Sequence, residues 1–363
     1  MSAPRRVAIV SPYALDVFGG VQEQVLGMSR EFMARGIETL LISPEGGELI
    51  SETSARVLRF GGCVAIPANG SKAPITLSPK AAKRARQAIE DFKAEVVHFH
   101  EPFAPLVGYG ELFGSSDRIH VGTFHRSGGG PAYRLTKPLL RKVLRRLDAQ
   151  VAVSDRAAET LRSATGAEAE VLFNGFEMHR FESLPRPLVP TILFVGRFET
   201  RKGAHVAIEA VRGWRAMGGP DVRLIMAGHG PDSAKLLALA DGDPAITFVG
   251  AIGDTEKRRL LGTSSVLVAA SLFGESFGMT LLEGMASGAS VVASDIDGYR
   301  EAAGGHAILF APNNPTDLRR AITVALEQSN GERDAARRHA EAWSMERLAD
   351  SYLSIYERCQ ARR

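Results

Sequence analysis

Residues 264–295 read SSVLVAASLFGESFGMTLLEGMASGASVVASD. An apolar, β-branched run of buried-strand length (SSVLVAAS) leads into a short polar turn. After Gly278, the residues Met279, Leu281, Leu282 and Met285 start a helical pattern with its N-terminus expected near Ser276, and ASVVASD returns as another strand. Strand, turn, helix and strand in that order make one unit of a parallel α/β sheet. The turn places backbone N–H groups of a helix N-terminus outward, a partial positive charge that suits a phosphate or a sugar hydroxyl, and Gly278 permits close approach. Glu275 stands just before this helix and Glu283 within it, at most about 12 Å apart on helical rise. That is the span of a sugar-plus-ribose unit, so a nucleotide-sugar fits the spacing.

Working back from this unit, PTILFVGRFETRKGAHVAIEAV (190–211) repeats the strand–turn–helix plan with a basic turn. Arg197 can fork to two phosphate oxygens and Lys202 adds a point charge, a pairing suited to a diphosphate on which negative charge builds. Further strands are expected in VRLIMAGHG, AITFVGAIGD and AILF. Gly228 and Gly230 open a turn where a base or ribose could stack, and Asp254 lies at the end of GAIGD, either as a ligand group or as the N-cap of a helix from about Thr255. The triple-proline stretch ESLPRPLVP (182–190) reads as an extended interdomain linker. Asp295 and Asp297 form an accidental D-x-D, and the absence of G-x-G-x-x-G after the first strand of either half disfavours a dehydrogenase.

The first half repeats the architecture. RVAIVS (6–11) is a buried strand, and a helix from about Val21 to Gly36 follows a loop whose Gly19 and Gly20 let the backbone come close to a ligand at the helix N-terminus. ETLLIS, RVLRF, EVVHFHEPFAPL, IHVGTFHRSGGG and AQVAVSD alternate with helical pieces, predicting a mostly parallel sheet with ligands at the carboxyl ends of its strands. His98, His100 and His125 fall at or near such ends. His98 and His100 share a strand face, but no cysteine or carboxylate spacing completes a metal site, so no metal is expected. PKAAKRARQAIEDF (79–92) is a helix whose first half is basic at Lys80, Lys83, Arg84 and Arg86. A helical tail from Ser344 through Tyr356 carries Leu348, Tyr352, Leu353 and Ile355 on its apolar side and ends in Arg362 and Arg363, expected to be disordered.

The 363 residues exceed one hydrophobic core, and 45% hydrophobic residues with mean hydropathy near zero describe a two-domain protein of ordinary composition. A net charge of +3 makes no case for nucleic acid. Cys63 and Cys359 have no C-x-x-C spacing and fit reduced thiols. With no signal-peptide pattern before the first strand and no apolar run of about 18 residues, the expectation is a cytoplasmic protein, at most peripheral on the cytoplasmic face of the plasma membrane.

The string ESFGMTLLEGMASGASVVASD resembles the E-x7-E region of the retaining GT-B glycosyltransferases of family 4, and GRFETRKG resembles their G-R-x4-K-G motif. SPYALDVFGGVQ is similar to the bacterial phosphatidylinositol mannosyltransferases in particular. The resemblance covers nearly the whole chain and implies two Rossmann-like doubly wound domains facing a central cleft: 1–183 for the acceptor, 184–345 for the nucleotide-sugar, and 346–363 as a helix crossing back to the first. It implies that Glu275 holds the donor sugar and Glu283 the ribose, with Ser276, Phe277 and Gly278 in the turn between them. Arg197 and Lys202 would stabilise the leaving diphosphate, Gly19 and Gly20 approach it, and His125 lie beside the sugar. Tyr13 and Asp16 become acceptor residues, as does the loop of Asn69, Gly70 and Ser71, although Pro74 and Thr76 stand where relatives carry arginine. The basic helix becomes a contact to an anionic lipid surface. GDP-mannose is the expected donor and a lipid such as phosphatidylinositol the acceptor, with no tightly bound cofactor and a monomer or weak dimer. Guanine offers adjacent N1–H and N2–H donors that one carboxylate, Asp254, would accept side by side. A UDP-sugar with a soluble acceptor, a nucleotide-sugar isomerase or phosphorylase, and a silent nucleotide-sugar-binding module are the alternatives.

Overall fold

The computed structural model describes residues 3–16, 19–49, 53–62, 64–68, 71–76, 78–104, 107–126, 137–219, 221–275 and 277–363; of 64–68, 71–74 and 215 only the backbone is described. The chain forms two units, Met1–Gly175 with Met345–Arg363, and Phe176–Ser344.

In the first unit the strands are β1 (Arg6–Val10), β2 (Glu38–Ser43), β3 (Arg56–Arg59), the hairpin β4 (Val64–Ala68) and β5 (Ser71–Ile75), β6 (Val96–His100), β7 (Ile119–Phe124), β8 (Ala149–Ala152) and β9 (Glu170–Val171). Outside the antiparallel hairpin they pair in the order β3-β2-β1-β6-β7-β8-β9, every described pair parallel. Helices cover both faces, which is why these strands are apolar throughout instead of alternating. Val7 and Ile9 pack with Val25 and Phe32 of the Gly20–Ala34 helix and with Tyr352, Ile355 and Tyr356 of the Met345–Ala361 helix. Ala8 and Val10 face the other way, onto Ala85 and Ile89 of the Pro79–Phe92 helix, which starts at the Ser78 N-cap. Cys359 is a buried free thiol on the tail helix, whereas Cys63 lies outside the described residues. The end of the tail departs from expectation: Arg363 is anchored by hydrogen bonds to the Asp117 and Arg118 carbonyls and a 2.7 Å ion pair to Asp148.

The second unit holds β10 (Thr191–Val195), β11 (Arg223–Ala227), β12 (Ile246–Gly250), β13 (Val266–Ala269), β14 (Ser290–Ser294) and β15 (Ile308–Phe310), in the parallel order β12-β11-β10-β13-β14-β15. Counted from its own first strand this is the 3-2-1-4-5-6 order of a doubly wound nucleotide-binding fold, whose ligand crevice opens where the order reverses. That switch point lies between β10 and β13; in the first unit it lies between β1 and β6. The proline stretch expected as an extended interdomain linker belongs to the second unit and is docked on it. The Leu184 N–H donates to the Gly262 carbonyl at 3.0 Å, and Arg186 donates to the carbonyls of Ser264 and Gly288. Extended backbone with few internal bonds satisfies its polar groups on a neighbour here.

Candidate active site

The two loops at the switch point of the second unit carry its chemistry. After β10 the chain makes a 3₁₀ turn at Thr200–Lys202, and after β13 it runs through Ser271 to Glu275. The parallel register of β10 on β13 brings both loops to one edge of the sheet. There Lys202 Nζ lies 2.6 Å and Arg201 Nη1 3.1 Å from Glu275 Oε1, and Ser271 Oγ donates to the same oxygen at 2.9 Å. Tyr299 Oη donates in turn to Ser271 Oγ at 2.9 Å, and burial pushes its phenol up, so it stays an O–H donor. Glu275 is thus oriented by a carboxylate–hydroxyl–phenol chain and neutralised by two cations. Arg197, expected beside Lys202, turns out to solvent with 66% of its side chain exposed and pairs with Glu199 at 3.0 Å. Glu199 also pairs with Arg201 at 3.2 Å. Arg201, Ser271 and Tyr299 were missed by sequence reasoning; the third cation in GRFETRKG was the available signal.

The helix of the E-x7-E segment spans Met279–Ala286, starting later than expected because Gly278 sits at φ +101° and cannot be helical. A Cβ there would lie 2.7 Å from the Tyr299 ring, so glycine is required twice over. Ser276 lies outside the described residues. The Phe277 ring is buried against Trp343, centroids 4.6 Å apart. Glu283 projects from the second turn of the helix and takes Lys257 Nζ at 2.8 Å on Oε1. Asp254 is the first residue of the Asp254–Thr263 helix, whose N-cap is Gly253, so the capping alternative fails; its Oδ2 pairs with Arg180 at 2.6 Å and Arg258 at 3.4 Å. Gly228 follows β11 at φ +153°, pressed against the Gly196 carbonyl, an approach that a side chain would block. Asp295 and Asp297 both pair with Arg300, consistent with an accidental D-x-D.

At the first unit's switch point, Tyr13 follows β1 with its N–H accepted by Ser11 Oγ at 3.2 Å. Burial and then the charge of Glu101 push its phenol up. Asp16 Oδ2 accepts the Gly47 N–H at 2.5 Å, and Oδ1 is buried without a partner among the described residues. Gly19 is the extended N-cap of the Gly20–Ala34 helix, and no described atom lies within 4 Å of where a Cβ of Gly20 would sit, so that helix end is open to close approach. Asn69 and Gly70 lie outside the described residues, and Ser71 begins β5. Lys80, Lys83 and Arg84 are exposed, Arg84 lying over the Phe60 ring at 5.0 Å, while Arg86 turns to the Ser115 carbonyl at 3.2 Å.

The histidines form a stack: His98 on His100 with centroids 4.7 Å apart, and His100 on His125 at 5.1 Å. His98 spends both nitrogens inside the fold, Nδ1 on Tyr356 Oη and Nε2 on Thr123 Oγ1, each at 2.7 Å, so it is no metal ligand. His100 Nδ1 and His125 Nε2 are 2.9 Å apart. Burial holds all three neutral, His98 and His125 down to about 3 and His100 well below its ordinary value. Glu101, also missed, is 5% exposed at φ +47° and accepts the backbone N–H groups of His125 (2.9 Å) and Arg126 (3.1 Å), fixing the loop that carries His125.

Profiles described as Glycosyltransferase Family 4 and as Glycosyl transferases group 1 match residues 18–180 and 176–343. The phosphatidyl-myo-inositol mannosyltransferase of Mycobacterium leprae is 34% identical over 306 residues, covering 81% of this chain and 80% of its own. The chain is a family 4 glycosyltransferase. The protein of the same name from Mycolicibacterium smegmatis is 30% identical, covering 97% of this glycosyltransferase and 93% of its own length. A solved glycosyltransferase of Rickettsia africae shares the GT-B fold with a TM-score of 0.75 at 20% identity, over 98% of each chain. As a member of this family the enzyme uses a nucleotide-sugar donor. Among the described residues no helix of this glycosyltransferase is long and apolar enough to cross a membrane.

Proposed function

We propose that this enzyme moves mannose from GDP-mannose to an inositol phospholipid, with retention at the anomeric carbon. The observation that carries the reading is the convergence of Lys202 and Arg201 on Glu275 at the β10/β13 edge, in a chain about one-third identical to proteins named phosphatidyl-myo-inositol mannosyltransferase. In this reading the two cations, joined by Arg197 on its exposed arm, meet the donor diphosphate. The bond from the acceptor oxygen to the anomeric carbon forms, the bond from that carbon to the diphosphate oxygen breaks, and the acceptor proton passes to the leaving diphosphate. The cations lower the barrier because negative charge grows on that leaving group. Glu275 and Glu283, as carboxylates that each accept two hydroxyl hydrogen bonds, take the sugar and the ribose. Gly228 and the Phe277–Gly278 backbone line the donor, and Asp254 reads guanine by exchanging one of its arginines for the base. In the first unit Gly19 and Gly20 face phosphate, His125 a sugar hydroxyl, and Tyr13, Asp16 and the loop of Asn69, Gly70 and Ser71 the acceptor. Lys80, Lys83 and Arg84 hold the enzyme on the anionic cytoplasmic face of a membrane.

The test is incubation of the purified enzyme with radiolabelled GDP-mannose and phosphatidylinositol vesicles, scoring mannolipid and released GDP. Mannolipid with the anomeric configuration of the donor supports the reading. Transfer from a UDP-sugar to a soluble acceptor, or interconversion of the nucleotide-sugar without acceptor, would replace it.

A further inference from the structure

His100 is 2% exposed, and its two ring nitrogens are treated differently by the fold. Nδ1 lies 2.9 Å from His125 Nε2, whereas Nε2 is buried with no hydrogen-bond partner among the described residues. A neutral imidazole carries one proton, and between two neutral rings sharing one hydrogen bond only two arrangements exist. In one, His100 keeps its proton on Nε2 and buries a donor that meets no acceptor. In the other, the proton is on Nδ1, donated to His125 Nε2, and Nε2 of His100 is a bare acceptor. Orphaned buried N–H groups are rarer than under-used acceptors, so the second is favoured. His125 then has an accepting Nε2, and its own proton must be on Nδ1. The geometry leaves little freedom to invert this. His100 is clamped between the rings of His98 and His125, His98 is tied to Tyr356 and Thr123, and Glu101 fixes the His125 backbone.

We propose that His100 is a positioning residue that holds His125 as the Nδ1–H tautomer, so that His125 meets its ligand as a hydrogen-bond donor and not as a base. A sugar hydroxyl whose proton goes to a carboxylate still has lone pairs that only a donor can meet, and an Nδ1–H supplies one. This role at the sugar rests on the function proposed above; the tautomer itself does not.

The experiment labels the full-length enzyme with ¹⁵N-histidine and reads the two ring nitrogens of His125 from long-range ¹H–¹⁵N correlations, assigned by subtraction in His125→Asn. The wild type should show a protonated Nδ1 and an unprotonated Nε2, without any substrate. In His100→Leu the Nε2–H form should become populated, and kcat for sugar transfer should fall about tenfold or more with the donor KM within about twofold, the pattern of an interaction made chiefly in the transition state. His100→Asn, whose Nδ2–H stands where Nδ1–H stood, should restore both the tautomer and most of kcat. Finding Nε2–H in the wild type overturns the proposal, as does an unchanged tautomer in His100→Leu or a His100→Asn enzyme as slow as His100→Leu. Should His100→Leu fail to fold, the wild-type spectrum decides alone. A wild type that shows Nδ1–H yet transfers no sugar would count against the proposed function and leave the tautomer assignment standing.

Discussion

Three imidazoles buried neutral in one unit make its stability depend on pH in a direction that can be worked out. The ordinary value for each is 6.5, and in the fold His98 and His125 are down to about 3 with His100 lower than normal as well. Above the unfolded value both states are neutral and no penalty exists. As pH falls below it the unfolded chain takes up protons that the folded chain refuses, so stability is lost progressively until the folded values are reached. For His98 and His125, whose folded values lie far below the window, the loss from about pH 7 to about pH 5.5 is set by the unfolded value alone, about 1.3 kcal/mol per imidazole and roughly 2.5 kcal/mol for the two, and His100 adds to it in the same direction. Hydrogen exchange of the β6 amides reports the opening free energy of this unit whatever the other unit does. Measured across that window and corrected for intrinsic rates, it should show the full loss in the wild type and about 1.3 kcal/mol less in His98→Leu. The substitution strands the Tyr356 hydroxyl and leaves Thr123 with Tyr352 as its partner, so the absolute stability drops; the slope with pH is the quantity compared. Equal slopes in the two proteins would refute the argument, because His98 would then be protonated in the fold or already neutral in the unfolded chain.

Lys202→Ala should lower turnover on a soluble acceptor analogue far more than Arg84→Ala, by about 100-fold if it meets charge developing on the diphosphate; equal losses would remove Lys202 from that role. Tyr299→Phe deletes the donor to Ser271 and should cost about 1 kcal/mol of stability by urea denaturation, with a rise in donor KM marking a loosened Glu275. Replacing Lys80, Lys83, Arg84 and Arg86 together by glutamine should weaken sedimentation with anionic liposomes and flatten its salt dependence; Arg86, bonded to Ser115, should contribute least when replaced singly. Asp254→Asn should weaken GDP-mannose binding in calorimetry by about 1.5–3 kcal/mol while sparing UDP, and equal losses would move base recognition elsewhere.

The strands and their order of use were legible because each is a short apolar run ending in a polar turn, and a βα repeat leaves few topologies open. That Lys202 and Glu275 belong together also followed from the chain, since both stand just past strand ends and parallel strands put all such ends on one edge. The same logic put His98, His100 and His125 at or near strand ends, while the contact between His100 and His125 came only with the structure. What the sequence could not decide was which of several chemically equivalent groups would face inward. Arg197 and Arg201 are both guanidinium groups in one turn, and only the 3₁₀ geometry of Thr200–Lys202 sends the second to Glu275 and leaves the first on Glu199. Asp254 reads equally as a cap or a ligand until the helix is seen to start on it, with Gly253 as the cap. The proline stretch read as a bare extended linker and the terminal arginine as disordered because local pattern carries no information about partners distant in sequence, and Arg186 and Arg363 find theirs on Gly288 and Asp148. Local periodicity determined the elements; hydrogen-bond partners contributed across long sequence separations, which exist only once the sheets are formed, determined what the side chains do.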